Sequence, residues 1–548
     1  MMLHSFLLFL SVAIASPLLA ADDPAKRDQI RQRVEQIRSG SGLEIEGRRV
    51  SSVLVLPALY ERREFASVWT NQDSIKQLFN SLEHIHEDGL NSADYHHDKL
   101  RELQTRLESG QRKDTSLRAE YDILLTDSLI RLGYHLLIGK VDPVELDSHW
   151  NMDRTIGDLE MILDMAKAID TGTVAELVED LRPTWPTYAR FKAALARYRQ
   201  IEQHGGWPSV PDGPVLKPGM SNPRVAAIRR RLAVTDELST TDLDSPLYDE
   251  AIEEAVKQFQ RHHNLAADGV VGPATLAAMN VPVEDRTDQI RVNLERARWV
   301  MHNLPDEFVL TDIAGFQVSY FRDGDVIWHA RAQVGRPYRK TPVFKSRITY
   351  LEINPTWTIP PGILRNDILP RLKKDPGYLQ RKDMRVLRHN GEPVDASTID
   401  WSQYPARRFP YMIRQNPGPR NALGQIKFMF PNKHLVYLHD TPSRSLFDRP
   451  QRTFSSGCIR IEHPFEFAEL LLKSDRWTRQ RVEEIVASEK ITRVNLPTPV
   501  AVILLYWTFN VDEDGNIQFK KDIYDRDDAV LAGLSQPFRF RSSPILDP

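Results

Sequence analysis

The hydrophobic pattern of this 548-residue chain changes its period near Phe308, and this change limits the fold more than any other feature. Before it, apolar residues recur every three to four positions, as Ile75 and Leu78 do, which indicates amphipathic helices. After it, GFQVSYFRDGDVIWHARAQVG alternates apolar and polar residues around Asp323-Gly324, which predicts a β-hairpin. The chain is also too long for one core, so we predict a multidomain α+β fold.

Shifts in composition place the boundaries between the predicted domains. The Pro/Gly-rich stretch HGGWPSVPDGPVLKPG separates a long helical region from a compact three-helix pattern. A charged, irregular stretch inside the strand-rich region is typical of an insertion that acts as a lid. We predict a signal peptide (1–21), a helical scaffold domain (22–203), a linker (204–219), a three-helix module (220–282), a connecting helix (283–307), a mostly-β domain (308–497) with a lid insertion (371–406), and a C-terminal segment (498–548) that packs on the mostly-β and helical domains.

The N-terminal sequence indicates that the protein is exported. MMLHSFLLFLSVAIASPLLAA is an apolar run of signal-peptide length that ends in small residues, and it is short for a membrane span. The alternative is an uncleaved anchor. No later apolar segment is long enough to span a bilayer, so we expect no integral span after cleavage. The formal net charge of −3 is slight for this length, and nothing points to nucleic acid as a partner.

The stretch FSSGCIRI contains Cys458, the only cysteine of the chain, so no internal disulfide can form. A lone thiol is either a buried small hydrophobe or a nucleophile. A core thiol usually lies in an apolar periodic run, and this one follows Ser-Ser-Gly. Gly457 suits a positive φ or a close approach, and backbone N–H groups of such a turn can form an oxyanion hole. Arg460 adds a positive charge that favours the thiolate.

A cysteine nucleophile needs a base, and His439 is the best candidate by local context. In HLVYLHD the period of two puts Leu435, Tyr437 and His439 on one face of a predicted strand. A histidine at the end of a strand, two positions after a tyrosine, is well placed to line a site. The spacing of 19 residues to Cys458 does not establish contact.

The three-helix module resembles the peptidoglycan-binding module of the PG_binding_1 type. The resemblance rests on an FQ pair, a Leu, an Asp-Gly turn and a Thr-Leu pair, which are here Phe259-Gln260, Leu265, Asp268-Gly269 and Thr275-Leu276. It covers about 60 residues. The alternative is a small helical spacer that binds nothing.

The cysteine motif resembles that of the L,D-transpeptidases of the YkuD fold, in which a His precedes Ser/Thr-His-Gly-Cys, an apolar residue and Asn or Arg. Ser456 stands where the wider family has His, which leaves His439 as the sole plausible base. Large Gram-negative members of the YcbB type are similar in this respect. The likeness extends to these further stretches: YERREFASVW, EDGLNSADY, INPTWTIPPGIL, RQNPGPRNALGQIKFMFPN, YLHDTP and DEDGNIQFKKDIYDRD.

The resemblance implies a periplasmic enzyme that acts on peptidoglycan stem peptides. Cys458 would attack a tetrapeptide donor and release D-Ala, with His439 as base, and the amine of meso-diaminopimelate on an acceptor stem would resolve the thioester into a 3→3 cross-link. Gly457, Ser456, Tyr437, Arg460 and Trp357 would form the oxyanion hole or bind substrate. For Arg460 a structural salt bridge is the alternative, and for Trp357 a place in the core. No metal or other cofactor is implied, and cell-wall synthesis proteins are possible partners.

Three other interpretations stay open. An L,D-carboxypeptidase, or a hydrolase that severs proteins from the wall, would use the same cysteine with another acceptor. A non-catalytic wall-binding scaffold would tolerate the loss of Cys458. An unrelated exported cysteine peptidase would leave the peptidoglycan-binding module unexplained.

Overall fold

The computed structural model describes residues 23–148, 150–152, 159–302, 304–375, 377–404 and 409–540, so the predicted signal peptide lies outside the described residues. Within these ranges every helix is too short or too polar to cross a membrane. The described chain is mostly helical up to residue 300 and strand-rich after it, as the change of period predicts.

The N-terminal domain is a packed set of helices around the almost fully buried helix Thr115–Ile138. The predicted helical face that contains Ile75 and Leu78 is buried, and Gly89 caps the following turn with a φ of 74°. The prediction of purely helical structure misses one hairpin, Leu43–Ile45 with Arg48–Val50. The other helices are Pro24–Arg38, Val55–Arg62, Gln72–His84, His97–Glu108, Pro143–Leu146, Leu159–Thr171, Val174–Asp180 and Pro186–Gln203.

The three-helix module has a hydrophobic core of its own. Its helices are Arg224–Val234, Glu250–His262 and Pro273–Met279, and Pro273 occupies the first turn as predicted. Val210 and Leu216, from the predicted linker, are buried in this core. The stretch from Val210 onward is thus part of the module.

The connecting helix Val283–Val300 joins the helical and strand-rich domains. Glu295 is fully buried and accepts a hydrogen bond from the backbone N–H of Val141, at 2.6 Å. Two residues earlier in the helix, the amide of Asn293 donates to Thr508 Oγ1 at 2.8 Å. These contacts hold the two domains against opposite sides of one helix.

The strand-rich domain is built on one nine-stranded sheet. Its strands are β1 (Glu307–Asp312), β2 (Gln317–Arg322), β3 (Asp325–Gly335), β4 (Phe344–Ile353), β5 (Ile426–Met429), β6 (Leu438–His439), β7 (Thr453–Ser455), β8 (Ile459–Ile461) and β9 (Thr492–Leu505). The order is β7-β3-β8-β6-β5-β4-β9-β1-β2, and β2 also pairs with β3, so the sheet closes on itself. The predicted hairpin turns at Asp323-Gly324, both with positive φ. Two helices, Pro464–Leu472 and Arg479–Ala487, follow β8.

A second unit is inserted in the chain between β4 and β5. We call residues 357–415 the lid unit. Its four short strands lie in the order Trp357–Thr358, Met412–Gln415, Met384–Leu387 and Pro393–Val394. Its hydrophobic core is separate from that of the sheet. The predicted insertion (371–406) covers only its middle, because the apolar flanks pack into the lid core. Its helical turns are Pro361–Ile363, Leu364–Ile368, Leu369–Leu372 and Tyr378–Arg381.

The C-terminal segment packs on both domains. The predicted boundary at residue 497 falls inside β9, which pairs with β4 on both sides of that boundary. Beyond it, the hydroxyl of Tyr524 donates to the carbonyl of Gly335 at 2.6 Å, and Lys140 Nζ donates to the carbonyl of Leu534 at 2.8 Å. The elements here are the strands Phe509–Val511 and Ile517–Phe519 and the helix Asp527–Leu534.

Candidate active site

Cys458 lies at the start of β8, beside the start of β6. The two strands are parallel, with Leu438 opposite Ile459 and His439 opposite Arg460, and both apolar residues are fully buried. Because side chains alternate along strands, Cys458 and Arg460 share the opposite face with Tyr437 and His439. Leu435, predicted on this face, has a φ of 57° that interrupts the strand, and its side chain is exposed.

His439 stands in a row of polar residues that crosses five strands. Gln333 pairs with Arg460, Arg460 with His439, His439 with Lys427, and Lys427 with Glu352. The imidazole is therefore flanked by two cations. Burial and the Arg460 guanidinium lower the pKa of His439 to about 3, and Lys427 acts in the same direction. The ring is thus neutral at pH 7.

A hydrogen bond fixes the tautomer of this neutral ring. His439 Nδ1–H donates to the carbonyl of Asp440 at 2.5 Å, which leaves Nε2 as the basic nitrogen. Among the described residues, no hydrogen bond joins His439 to Cys458. Tyr437 connects them: its ring packs edge-on against the imidazole with centroids 5.6 Å apart, and its hydroxyl bonds the thiol.

The thiol of Cys458 is half-buried, and its Sγ lies 3.8 Å from the carbonyl of Leu435. Burial raises its pKa, while hydrogen bonds from the backbone and hydroxyl of Tyr437 and the charges of Lys427 and Arg460 lower it. Burial prevails. The expectation that Arg460 favours the thiolate is correct in direction, but the charge does not offset the loss of water.

The Ser-Ser-Gly turn is held by side chains. Gly457 has a φ of 118°, and its N–H donates to Ser455 Oγ at 3.0 Å. Its carbonyl accepts a bond from Thr341 Oγ1 at 2.9 Å. The N–H of Cys458 has no acceptor among the described residues. The prediction that the N–H of Gly457 contributes to an oxyanion hole is therefore wrong, because this N–H already donates to Ser455. Only the N–H of Cys458 is available to an oxyanion. Ser456 is exposed at the rim.

Arg460 is a half-buried cation without a carboxylate partner among the described residues. Its Nη1 donates to Gln333 Oε1 at 3.1 Å, and its buried Nε has no acceptor. The alternative of a structural salt bridge is therefore wrong. Trp357 packs against the lid core, and its indole bonds the hydroxyl of Tyr437.

The sequence reasoning missed Lys427, Gln333, Arg339 and Asp367. Lys427 carries a local signal, since it interrupts an otherwise apolar strand between Ile426 and Phe428. The others lack one, because only strand pairing and the placement of the lid unit bring them to the site. The described residues contain no group of three or more His, Cys, Asp or Glu side chains able to hold a metal.

Comparisons with known families match three regions of the chain. Residues 306–492 match the YkuD family, described as "L,D-transpeptidase catalytic domain". Residues 55–195 match a "Scaffold domain", and residues 221–279 match a "Putative peptidoglycan binding domain". The site described above lies entirely within the first of these regions.

One curated relative is the "Putative L,D-transpeptidase" of Haemophilus influenzae, 37% identical over 243 residues. The match covers 44% of this chain and 48% of the relative, so the chain spans about half of the relative's length. Solved L,D-transpeptidase structures from Xylanimonas cellulosilytica and Stackebrandtia nassauensis are 16% and 12% identical over 54% of this chain, and over 99% and 96% of theirs. Their TM-scores, 0.18 and 0.22, are too low to add to the fold assignment.

Proposed function

We propose that this chain, which carries a YkuD L,D-transpeptidase catalytic domain with scaffold and peptidoglycan-binding domains, forms 3→3 cross-links between peptidoglycan stem peptides. One observation carries the proposal: Tyr437, His439, Cys458 and Arg460 share one face of β6 and β8. The donor is a tetrapeptide stem, and the acceptor is the side-chain amine of meso-diaminopimelate on a second stem.

In the first step, Cys458 Sγ attacks the carbonyl carbon of the third stem residue. The thiol proton passes to His439 Nε2, whose other nitrogen is held by Asp440. A carbon–sulfur bond forms, the bond to the nitrogen of D-Ala breaks, and D-Ala leaves with the proton that His439 returns. The N–H of Cys458 stabilises the oxyanion between these events.

The low pKa of His439 favours only the second half of this relay, because so weak a base is a poor acceptor of the thiol proton. An imidazolium between Arg460 and Lys427 is a strong acid, because both charges oppose its protonation. It therefore returns the proton readily to the leaving amine. The Tyr437 hydroxyl stabilises the thiolate by a hydrogen bond while the proton is away.

In the second step, the acceptor amine attacks the thioester carbon. The new amide bond forms, the carbon–sulfur bond breaks, and the amine proton reaches the sulfur through His439. Arg460, which has no carboxylate partner in the described chain, binds a stem carboxylate at this site. Trp357 walls the cleft on the lid side.

The other regions support a location at the cell wall. The module at 221–279 attaches the enzyme to peptidoglycan, and the N-terminal segment directs export to the periplasm. Other proteins of wall synthesis are partners to be sought at the helical scaffold domain.

To test the proposal, purified tetrapeptide muropeptides are incubated with the protein or with its Cys458→Ala variant. The products are then analysed by mass spectrometry. We expect a cross-linked dimer with loss of D-Ala, formed by the wild type alone. Tripeptide without dimer would instead indicate an L,D-carboxypeptidase. No turnover by either protein, with retained binding to whole sacculi, would indicate a wall-binding scaffold.

A further inference from the structure

Arg339 joins the lid unit to the catalytic turn. Its Nη1 donates to Asp367 Oδ2 at 2.5 Å and to Ser456 Oγ at 2.9 Å. Asp367 belongs to the lid unit, and Ser456 is two residues from the thiol. The three side chains therefore form one bridge beside the nucleophile.

The loop that carries Arg339 is fixed to the main sheet. The backbone N–H of Thr341 donates to the hydroxyl of Tyr524 at 3.1 Å, and Thr341 Oγ1 holds the carbonyl of Gly457. Gly335, at the start of the loop, packs so closely that an added Cβ would lie 2.1 Å from the carbonyl oxygen of Arg339. The loop backbone that carries Arg339 is thus held firmly against the sheet.

Asp367 belongs to the lid unit, which has a hydrophobic core of its own. It lies in the π-helix Leu364–Ile368, a rare element that is frequent at functional sites. Leu364 and Ile368 anchor this helix in the lid core, which is separate from the core beneath the thiol. The ion pair is only partly buried, with side-chain exposures of 17% and 30%, so it opens at little cost.

We infer that Arg339 is a positioning residue that latches the lid unit over Cys458 through Asp367 and Ser456 and so controls the size of molecule that reaches the thiol. A closed latch restricts the cleft to an extended stem peptide. Its effect on product choice rests on the proposed function, because a loosened lid admits water to the thioester in competition with the acceptor amine.

The single cysteine makes access directly measurable. Cys458 is alkylated with N-methylmaleimide and with a maleimide carried on a polyethylene-glycol chain, which share one reactive group and differ in size. The ratio of the two rates cancels any change in thiol reactivity. We expect Asp367→Asn and Arg339→Gln to raise the rate with the large reagent relative to the small one by roughly fivefold.

Two further variants separate the latch from general disturbance of the loop. Arg336 carries the same charge three residues away but bonds the hydroxyl of Tyr338, so Arg336→Gln should leave the ratio unchanged. The reversed pair Arg339→Asp with Asp367→Arg should bring the ratio back towards the wild-type value. A ratio that stays constant in both latch variants, or rises equally in Arg336→Gln, overturns the inference.

Muropeptide assays then connect the latch to product choice. We expect the latch variants to yield more tripeptide relative to cross-linked dimer than the wild type does. If the wild type turns over no muropeptide while the alkylation ratio responds, the proposed function fails and the latch stands. If cross-linking occurs but the latch variants change neither the alkylation ratio nor the ratio of tripeptide to dimer, the latch inference fails and the proposed function stands.

Discussion

His439 lies directly opposite Arg460 in the register of β6 and β8, so a guanidinium adjoins the imidazole on the face that carries the thiol. Burial and this charge together bring the pKa of His439 to about 3. The relationship explains how the base stays neutral and leads to the first prediction.

Substitution of Arg460 by Met should raise the pKa of His439, because it removes a like charge that opposes protonation. NMR titration of the imidazole measures the change, and Lys427→Met should produce a smaller rise. The folded pKa lies below the unfolded value of about 6.5, so the unfolded state binds the proton first. This group's contribution to stability is therefore present above pH 6.5 and is lost as the pH falls towards 3. A His439 pKa unmoved by Arg460→Met would contradict the prediction.

Substitution of Tyr437 by Phe should raise the pKa of the Cys458 thiol, because the hydroxyl hydrogen bond stabilises the thiolate. At pH 7 we expect about ten- to a hundredfold slower alkylation of the thiol, with a similar loss of any transpeptidase turnover. The pH profile of alkylation gives the shift directly. Circular dichroism should show an unchanged fold, and an unshifted profile would place the hydroxyl outside the reaction.

Substitution of Gly457 by Ala should destabilise the protein by about 1–3 kcal/mol through backbone strain at a φ of 118°. A Cβ here has room, with its nearest contacts at 3.7 Å, so crowding is not the cause. Urea denaturation measures the loss. Gly110 has a φ of 132° and open space around it, so Gly110→Ala is the matched control. It should cost similar stability and leave thiol reactivity intact, whereas Gly457→Ala should change both.

Substitution of Glu295 by Gln should destabilise the protein by about 3–5 kcal/mol, because it leaves the buried guanidinium of Arg298 without its anion. Both side chains of this pair are fully buried, at 2.6 Å. Thermal unfolding followed by calorimetry tests this expectation. Glu284, exposed in the first turn of the same helix, provides the control, and Glu284→Gln should have little effect. Equal losses in both variants would show that the pair does not hold the domain junction.

Local patterns predicted local structure well. The helical face of Ile75 and Leu78, the turn at Asp323-Gly324 and Pro273 in a first helical turn all follow from short-range spacing or backbone preference. The motif around Cys458 likewise indicated the region that matches the L,D-transpeptidase catalytic domain.

Features that depend on long-range pairing could not be predicted. Nothing near His439 in the sequence indicates that Arg460 and Lys427 flank it, because strand register sets those neighbours. The occupied N–H of Gly457 depends on the rotamer of Ser455. The extent of the lid unit was missed because its apolar flanks have the same pattern as strands of the main sheet.

The separate core of the lid unit has an evolutionary consequence. Substitutions inside it alter the roof of the cleft while the residues that support Cys458 and His439 keep their packing. Natural selection can therefore vary the shape of the cleft without endangering the folding of the sheet beneath it, provided that the contacts to Arg339 and Tyr437 persist. Related chains could thus keep the same sheet beneath Cys458 while their lid units differ in composition.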